Sequence, residues 1–471
     1  MTILPLHPAD NSSSPEALRE FLARCQAEVR RSGRPRLVSI SLAVEALDPL
    51  AVLESIFDPR APHFYAERPA AGWALAGAEV AAAWTAEGPE RFARIKAWAE
   101  ALLADAVAVG DVAARFGGPH VFCAFGFQAE AEMGQPFPAA AAFVPQWQVG
   151  LAGDTTTAVA NLLVTGESDL EALAGRVWRA HRKFRGLEPG EFPPAEAGPA
   201  IFQRREAGDY PAAARAALEL IARGTFRKLV LARAQDLSTD RPLHPLRMLN
   251  GLRQRFPDCY AFSFTWGGGP SFIGASPERL LRVRAGELET EALAGSIRRG
   301  RGAAEDLALG GALLRSEKDL REHRAVVEDL RSRLAKLGVE LGPAATPGVR
   351  RLANVQHLHT RLAGPLPVGV HPLDVAAALH PTPAVGGEPR EGAAEVIRQL
   401  EGFPRGLYAG ALGWFDARGE GEFLVGIRSA LVEGKAARVY AGAGLVAGSD
   451  PEKELAETDL KFKAMVEAIT A

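Results

Sequence analysis

Three charged side chains near the end of the sequence have the spacing of groups that act together. Glu454, Glu457 and Lys461 lie in the stretch DPEKELAETDLKFK, where offsets of three and seven residues place them along one face of a helix. Asp450 is a suitable N-cap and Pro451 suits the first helical position, so the helix is predicted to begin there. Two interpretations fit this face: a solvated, salt-bridged surface, or carboxylates that face a divalent cation.

A lysine in an apolar strand is a second candidate. Lys228 begins the run KLVLAR, and strand alternation places it on the same face as Val230 and Ala232. A lysine in this position is commonly an edge guard or a side chain that extends to solvent. A lysine that faces inward can instead act as a base, because desolvation and nearby cations favour its neutral form. The strand alone leaves both interpretations open.

Three further side chains can do acid–base or ligand chemistry, and each also has an ordinary structural explanation. Glu278 in GASPERLL follows a Gly-Ala-Ser-Pro run between two predicted strands, where turn glutamates are common. Glu322 in SEKDLREH belongs to a highly charged helix, for which a solvated face is the default. His357 is flanked by Val355 and Leu358, as expected for a core histidine.

A glycine-rich loop precedes the final helix. Gly442 and Gly444 lie in YAGAGLVAGSDPE, which leads to the N-terminus of that helix. Backbone N–H groups in such a loop can hold a carboxylate or a phosphate, although a glycine-rich loop is weak evidence by itself.

The elements that must position these residues alternate between short strands and amphipathic helices. A long charged helix that carries Glu322 is predicted over roughly 303–337, and three strands precede the final helix: GLYAGALGWFD, GEFLVGIRSALVE and KAARVYAGAGLVAG. Strands joined by hairpin-like gaps favour a mainly antiparallel sheet with helices packed outside. The expected fold class is therefore α+β, not a nucleotide-binding βαβ chain. A Pro- and Gly-rich stretch predicts a boundary near residue 195.

Composition limits the classes of function. The 471 residues are 47% apolar and 24% charged, with a net charge of −3, which argues against a nucleic-acid or anionic-membrane partner. Three scattered cysteines, Cys25, Cys123 and Cys259, give neither a disulfide framework nor zinc spacing and fit a reducing cytosol. No signal peptide is predicted, and no apolar run reaches the length of a membrane span.

The order and spacing of the motifs together are highly specific. The motifs are KLVLAR, FIGASPERLL, TEALAGSIRRG, SEKDLREH, VQHLHTRLAG, LHPTPAVGGEPRE, GLYAGALGW, FLVGIRSALV and YAGAGLVAGSDPEKELAETDLK. This series strongly resembles the chorismate-utilising enzymes over about residues 205–468, and more loosely over the first half. The resemblance implies one large α+β unit with two stacked, mainly antiparallel sheets flanked by helices. Residues 1–195 would form the N-terminal half of that fold, and residues 196–471 the chorismate-binding catalytic region.

The resemblance also implies a metal site. Glu454 and Glu457 match glutamates that bind Mg²⁺ in this family, and Glu322 matches a third glutamate, from the long helix. Carboxylates are the hard oxygen ligands that Mg²⁺ prefers, and the ion also takes waters and a substrate anion, here the ring carboxylate of chorismate. Lys461 lies one turn beyond Glu457 and matches a residue near the same end of the site.

The remaining roles follow from the same resemblance. Lys228 would be the base that activates water at C2 of chorismate, and Glu278 the acid that protonates the hydroxyl leaving from C4; burial would hold the lysine neutral and the carboxylic acid protonated. The enolpyruvyl carboxylate would be bound by Arg428, Tyr408 and the backbone N–H groups near Gly442 and Gly444. The ring pocket would be lined by His357, Ala294, Gly295 and Ser296.

Two positions favour the isochorismate synthase branch of the family. Ala294 in ALAGS occupies the position of the lysine in the PIKGT-like motif of aminodeoxychorismate synthases, and Ala384 in HPTPAVGG occupies a position that is threonine in many anthranilate and salicylate synthases. Ser296 departs from the commoner threonine, and Tyr408 does not discriminate among branches. The expected protein is a Mg²⁺-dependent, cytoplasmic isochorismate synthase for menaquinone synthesis. It would be a monomer or homodimer without a glutamine amidotransferase subunit. The alternatives are a salicylate synthase and a non-catalytic homologue that binds chorismate-like acids.

Overall fold

The computed structural model describes residues 1–3, 15–185, 199–343, 345–353 and 355–470. Eleven α-helices fall within these ranges. In chain order they are α1 (Pro15–Ser32), α2 (Pro49–Ser55), α3 (Arg91–Ala104), α4 (Leu170–Arg185), α5 (Tyr210–Ala222), α6 (Pro245–Arg255), α7 (Ala303–Leu313), α8 (Glu317–Ala335), α9 (Pro372–Leu379), α10 (Ala393–Glu401) and α11 (Pro451–Ile469).

The same ranges contain 21 strands. They are β1 (Thr2–Ile3), β2 (Arg36–Val44), β3 (His63–Arg68), β4 (Trp73–Ala86), β5 (Val107–Gly110), β6 (His120–Phe125), β7 (Ala140–Ala152), β8 (Thr155–Val164), β9 (Ile201–Ala207), β10 (Lys228–Thr239), β11 (Tyr260–Thr265), β12 (Ser271–Ser276), β13 (Arg279–Arg284), β14 (Glu287–Arg298), β15 (Gly348–Arg351), β16 (Val355–Pro365), β17 (Gly387–Glu388), β18 (Ala411–Asp416), β19 (Gly421–Val425), β20 (Ser429–Glu433) and β21 (Ala436–Val446).

The strands form one hydrogen-bonded network with two arms that share the long pair β4–β7. The first arm runs β9-β10-β21-β20-β12-β11-β3-β4-β7-β8-β2-β5-β1. The second arm continues from the other half of β4–β7 through β6-β18-β19-β13-β14-β16-β15. The β4–β7 register shifts between Val80 and Ala82, beside Glu79 with its positive φ of 58°, as expected where a bulge bends a strand from one sheet into another.

Aromatic side chains fill the space between the two arms. Phe64 of β3 stacks on Phe122 of β6 with ring centroids 4.6 Å apart, and the Tyr260 hydroxyl of β11 donates to Glu422 Oε1 of β19 at 2.6 Å. Both phenylalanines are fully buried, and each contributes about 2 kcal/mol of burial free energy. The arms are therefore stacked sheets with a shared core. Among the strands of the described ranges, only the pairs of β5 with β1 and β2 are parallel, so the prediction of a mainly antiparallel α+β fold is confirmed.

Strands from the two predicted halves of the chain lie side by side. β3 pairs with β11 in the first arm, and β6 pairs with β18 in the second. The predicted boundary near residue 195 lies outside the described residues.

The prediction of a single helix over 303–337 is wrong, because the chain forms two helices, α7 and α8, with a break between them. The Ser316 side chain accepts a hydrogen bond from the Asp319 N–H and so caps a new helix at this point. At the last helix, the Asp450 side chain caps α11 and Pro451 occupies its first turn, as predicted. Within the described residues, no helix is both long enough and apolar enough to cross a membrane.

Candidate active site

One cavity brings together all but one of the residues predicted for the site. It lies between β10 and β21, β14 and β16, the loops that precede β13 and β18, and the helices α8 and α11. The predicted residues that line it are Lys228, Glu278, Ala294, Gly295, Ser296, Glu322, His357, Ala384, Tyr408, Arg428, Gly442, Gly444, Glu457 and Lys461. The exception is Glu454, which lies on α11 one turn before Glu457.

Lys228 faces inward, so its interpretation as an edge guard is wrong. β10 has β21 on one side and β17 on the other at this residue, and the lysine is only 5% exposed. Its Nζ donates to Glu322 Oε1 at 2.7 Å. Burial alone would raise the pKa of Glu322, but the charge and hydrogen bond of Lys228, together with the charges of Lys318 and Lys461, outweigh burial and lower it. A Cβ at Gly444 would lie 3.1 Å from Lys228 Cε, a tight contact that would require the lysine side chain to shift by a few tenths of an ångström.

Glu278 is a buried carboxyl at a tightly held turn. The Ser276 hydroxyl accepts from the Glu278 N–H at 3.2 Å, and the Glu278 carbonyl accepts from the Val425 N–H at 3.1 Å. Burial, followed by the negative charge of Glu291, raises the pKa of Glu278 to about 7, against the opposing hydrogen bond from Thr382. This carboxyl can hold a proton at neutral pH, which a general acid requires.

Arg428, His357 and Ser296 form a hydrogen-bonded series along one wall. Arg428 Nη2 lies 3.2 Å from His357 Nε2, and His357 Nδ1 lies 2.8 Å from the Ser296 hydroxyl. Burial, followed by the charge of Arg428, holds the pKa of His357 well below its usual value, so the ring is neutral. Since arginine only donates, Nε2 accepts and the proton of the ring lies on Nδ1. Arg428 itself has a positive φ of 50°, a strained backbone of the kind found at functional sites.

The glycines of β21 direct their backbone toward the cavity. Gly442 and Gly444 lie opposite Ala232 and Val230 of β10, whose N–H groups donate elsewhere, to Glu401 and Gly386. In an antiparallel pair this pattern marks non-hydrogen-bonded positions, so the N–H groups of both glycines point away from β10. The Gly442 carbonyl, on the same side, accepts from Lys461 Nζ of α11 at 2.7 Å.

Tyr408 closes the cavity beside these glycines. Its ring stacks on Tyr440 with centroids 5.0 Å apart, and a Cβ at Gly442 would lie 2.7 Å from its hydroxyl oxygen. Arg405 lies 5.7 Å from the Tyr408 ring centroid and pairs with the buried Glu401. Any side chain at position 442 would therefore displace the tyrosine.

Of the three predicted metal-binding glutamates, Glu322 and Glu457 line the same cavity, and Glu454 is within electrostatic range of Glu457. No group of three or more His, Cys, Asp or Glu side chains in the described part of the chain has the arrangement of a metal site. Glu322 pairs with Lys228, and Glu457 pairs with Lys461 Nζ at 2.8 Å. Burial, followed by the charge of Glu457, raises the pKa of Glu454. A cation beside these two carboxylates would relieve that repulsion, so the last helix offers ligands of a type that fits Mg²⁺.

Sequence reasoning missed several residues that shape the cavity. Arg405 lines it, Thr382 donates to Glu278 at 3.4 Å, and Glu291 accepts from the backbone N–H of Arg279 at 3.0 Å. Burial is the property that marks these polar residues, and a single sequence does not report burial.

Comparison with known proteins adds an independent observation. A family model described as "chorismate binding enzyme" matches residues 20–470. This chain belongs to that family. The resemblance inferred from the motifs is thereby confirmed.

This chorismate-binding enzyme is similar to proteins of known reaction. It is 38% identical to the salicylate biosynthesis isochorismate synthase of Pseudomonas aeruginosa, over 97% of this chain and 94% of that protein. It is 34% identical to the isochorismate synthase MenF of Bacillus subtilis, over 75% of each chain. Its fold matches the solved structure of MenF, the menaquinone-specific isochorismate synthase from Escherichia coli, with a TM-score of 0.77 and 27% identity over 95% of this chain and 99% of the other.

Proposed function

We propose that this chorismate-binding enzyme is an isochorismate synthase, which adds water at C2 of chorismate and releases the hydroxyl from C4. The observation that carries the proposal is the presence in one cavity of Lys228 and of Glu278, a carboxyl whose pKa is raised to about 7. Addition of water with loss of hydroxide needs one group that takes a proton and one that gives a proton. The names of the relatives support the same reaction.

In the proposed mechanism the chain supplies both proton transfers. In its neutral form Lys228 takes a proton from the water that attacks C2, and Glu278 gives its proton to the C4 oxygen, which leaves as water. The guanidinium of Arg428 and the hydroxyl of Tyr408 bind the enolpyruvyl carboxylate, together with the N–H groups of Gly442 and Gly444 that point away from β10. Holding the substrate in this orientation lowers the entropic part of the barrier.

The ring of the substrate would lie against the wall that continues from Arg428 through His357 to Ser296. That wall contains His357, Ala294, Gly295 and Ser296, and Ala384 lies in the loop after α9. Gly295 has a positive φ of 79° at the register shift between Ala294 and Ser296, which turns this part of β14 out of the regular pleat. Ala294 has no amine, so this position supplies no nucleophile that could compete with water. Ala384 has no hydroxyl, so this position makes no hydrogen bond that would change the orientation of the ring.

The cofactor of the proposal is Mg²⁺. Glu454 and Glu457 would hold it, with Glu322 as a third carboxylate, and Lys461 would stay beside Glu457. A bound ion would supply positive charge that neutralises the ring carboxylate of chorismate.

Removal of the metal gives the first expected outcome. Activity vanishes in EDTA and returns with Mg²⁺, and Glu454→Gln lowers kcat about a hundredfold while the melting temperature changes little, because the substitution removes charge and not volume. The matched control is Glu452→Gln, an exposed glutamate on the same helix, which keeps wild-type activity. Full activity of the purified enzyme in chelator contradicts the metal proposal.

The products of the reaction give the second expected outcome. Purified protein with chorismate and Mg²⁺ forms isochorismate reversibly at neutral pH, with little salicylate and no requirement for ammonia or glutamine, as separation by HPLC shows. Loss of pyruvate from isochorismate needs the C2 hydrogen and the enolpyruvyl group in a cyclic alignment, which Ala384 does not promote by hydrogen bonding. Salicylate and pyruvate in equal amounts as the main early products make the protein a salicylate synthase. Anthranilate formed from ammonium contradicts both assignments.

The pathway we propose is menaquinone synthesis in the cytoplasm by a monomer or homodimer. The similarity to the menaquinone-specific isochorismate synthase of E. coli supports the pathway. The name of the P. aeruginosa relative favours salicylate synthesis as a second candidate for the use of the product. All three cysteines are buried free thiols, in keeping with a reducing compartment.

A further inference from the structure

A buried carboxylate lies behind the turn that carries Glu278. Glu291 is the second residue of the TEALAG motif and is on β14, with 7% of its surface exposed. Its Oε1 accepts a hydrogen bond from the backbone N–H of Arg279, the residue that follows Glu278, at 3.0 Å. The remaining backbone contacts of the turn come from Ser276 and Val425. Glu291 is therefore the side chain that fixes the chain immediately after the acid.

Glu291 is itself held by two strands at the edge of the second arm. Arg350 Nη1 of β15 donates to its Oε1 at 2.9 Å, and His359 Nε2 of β16 lies 3.0 Å from its Oε2. Both oxygens are thus occupied, and a carboxylate bound this way has one orientation. Burial alone would raise the pKa of Glu291, but the hydrogen bond of His359 and the charges of Arg350 and Arg279 outweigh it and lower the pKa to about 2.

We propose that Glu291 is a positioning residue for the general acid: it fixes the turn from which Glu278 projects and places a permanent negative charge behind it. This inference rests on the proposed function, because it requires Glu278 to donate a proton. Glu291 does not line the cavity with the other residues and so acts through Glu278, not on the substrate.

Several charged groups face the two carboxylates. Glu278 has Glu291 from β14 beside it, with Lys228 of β10 and Lys461 of α11 across the cavity and the Thr382 hydroxyl as hydrogen-bond donor. Glu291 faces Arg279, Arg350 and His359, and it also lies within range of the Tyr260 phenol. After burial, Glu291 is the largest influence that keeps Glu278 protonated, and the two lysines act in the opposite direction.

Two substitutions separate the geometric effect of Glu291 from its charge. Glu291→Gln keeps an oxygen for Arg279 and Arg350 but removes the charge, whereas Glu291→Ala removes the acceptor as well. Because a protonated Glu278 is needed, kcat/KM falls as pH rises through its pKa. We expect Glu291→Gln to retain the wild-type maximum of kcat and to move the high-pH decline of kcat/KM, the alkaline limb of the profile, down by about one pH unit. Glu291→Ala lowers the maximum of kcat about tenfold with little change in KM.

The matched control is Glu289→Gln. Glu289 is on the same face of β14, is equally buried and pairs with Arg279, Arg282 and Arg361. A purely structural role predicts that both glutamine variants lower the melting temperature and that neither moves the alkaline limb. We expect the limb to move in Glu291→Gln alone, and melting curves establish that each variant is folded.

The outcomes distinguish this inference from the proposed function. If the wild-type protein converts chorismate to isochorismate and Glu291→Gln has the wild-type alkaline limb, the positioning role is refuted while the proposed function stands. If the wild-type protein does not form isochorismate, the proposed function fails first. A shifted limb in Glu291→Gln, absent from Glu289→Gln, supports the positioning role even if Glu291→Ala does not fold.

Discussion

Glu278→Gln lowers kcat for formation of isochorismate by about a hundredfold or more, the usual size of a general-acid contribution. The amide has the shape of the carboxyl and still accepts the hydrogen bond from Thr382, but it has no acidic proton to give to the leaving C4 hydroxyl. The measurement is the initial rate of isochorismate formation by HPLC at saturating chorismate, with melting temperature as the check that the buried site is intact.

The pH dependence of the same variant identifies the group. Burial and Glu291 raise the pKa of Glu278 to about 7, so wild-type kcat/KM declines as pH rises through about 7. Glu278→Gln has no such decline, since the group that titrates is gone. Glu287→Gln is the control, because this glutamate is exposed at the start of β14 and keeps the wild-type profile. If kcat/KM of Glu278→Gln declines with rising pH as it does in the wild type, another residue is the general acid.

Lys228→Ala is expected to lower kcat about a hundredfold or more as well. The substitution also leaves Glu322 without its buried partner, and it destabilises the fold for that reason. The loss of rate alone therefore does not separate a base from a structural lysine.

The substitution Lys228→Arg distinguishes a catalytic base from a lysine that only pairs with Glu322. Arginine restores a cation for Glu322 but stays protonated at all working pH values, so it cannot take the proton of the attacking water. We expect the melting temperature of Lys228→Arg to lie closer to wild type than that of Lys228→Ala, while kcat stays as low in both. The matched control is Lys453→Arg on the exposed face of α11, with wild-type kcat. Near-normal kcat in Lys228→Arg would show that Lys228 contributes only its charge.

Local patterns in the sequence predicted those parts of the site that depend on neighbouring residues. Alternation in KLVLAR placed Lys228 on the face of Val230, and both line the cavity. The capping residue Asp450 fixed the start of α11 and with it the face that carries Glu457 and Lys461. The break at Ser316 was missed because the charged pattern continues through it, although a serine followed by acidic residues is a helix-start signal.

Contacts between segments that are distant in the chain could not be predicted from local sequence patterns. Spacing placed Glu454 and Glu457 on one helix face but did not show that Glu322 pairs with Lys228, since that contact joins α8 to β10. Arg405 and Glu291 carry no local signal, because a buried arginine or glutamate looks the same in sequence as an exposed one. The predicted roles of the site residues came from the family resemblance, which carries spatial information that one sequence lacks.

The pairing of β10 with β21 has a consequence for how the site comes into being during synthesis. Lys228 lies opposite Val446, and β12 receives its partner β20 just as late in the chain. Contacts between segments so distant in sequence form slowly, and until they form both strands present open edges. The ribosome therefore completes nearly all of the described chain before Lys228, Gly444 and Glu457 can meet. The arrangement of the site therefore depends on strands and a helix that are synthesised last.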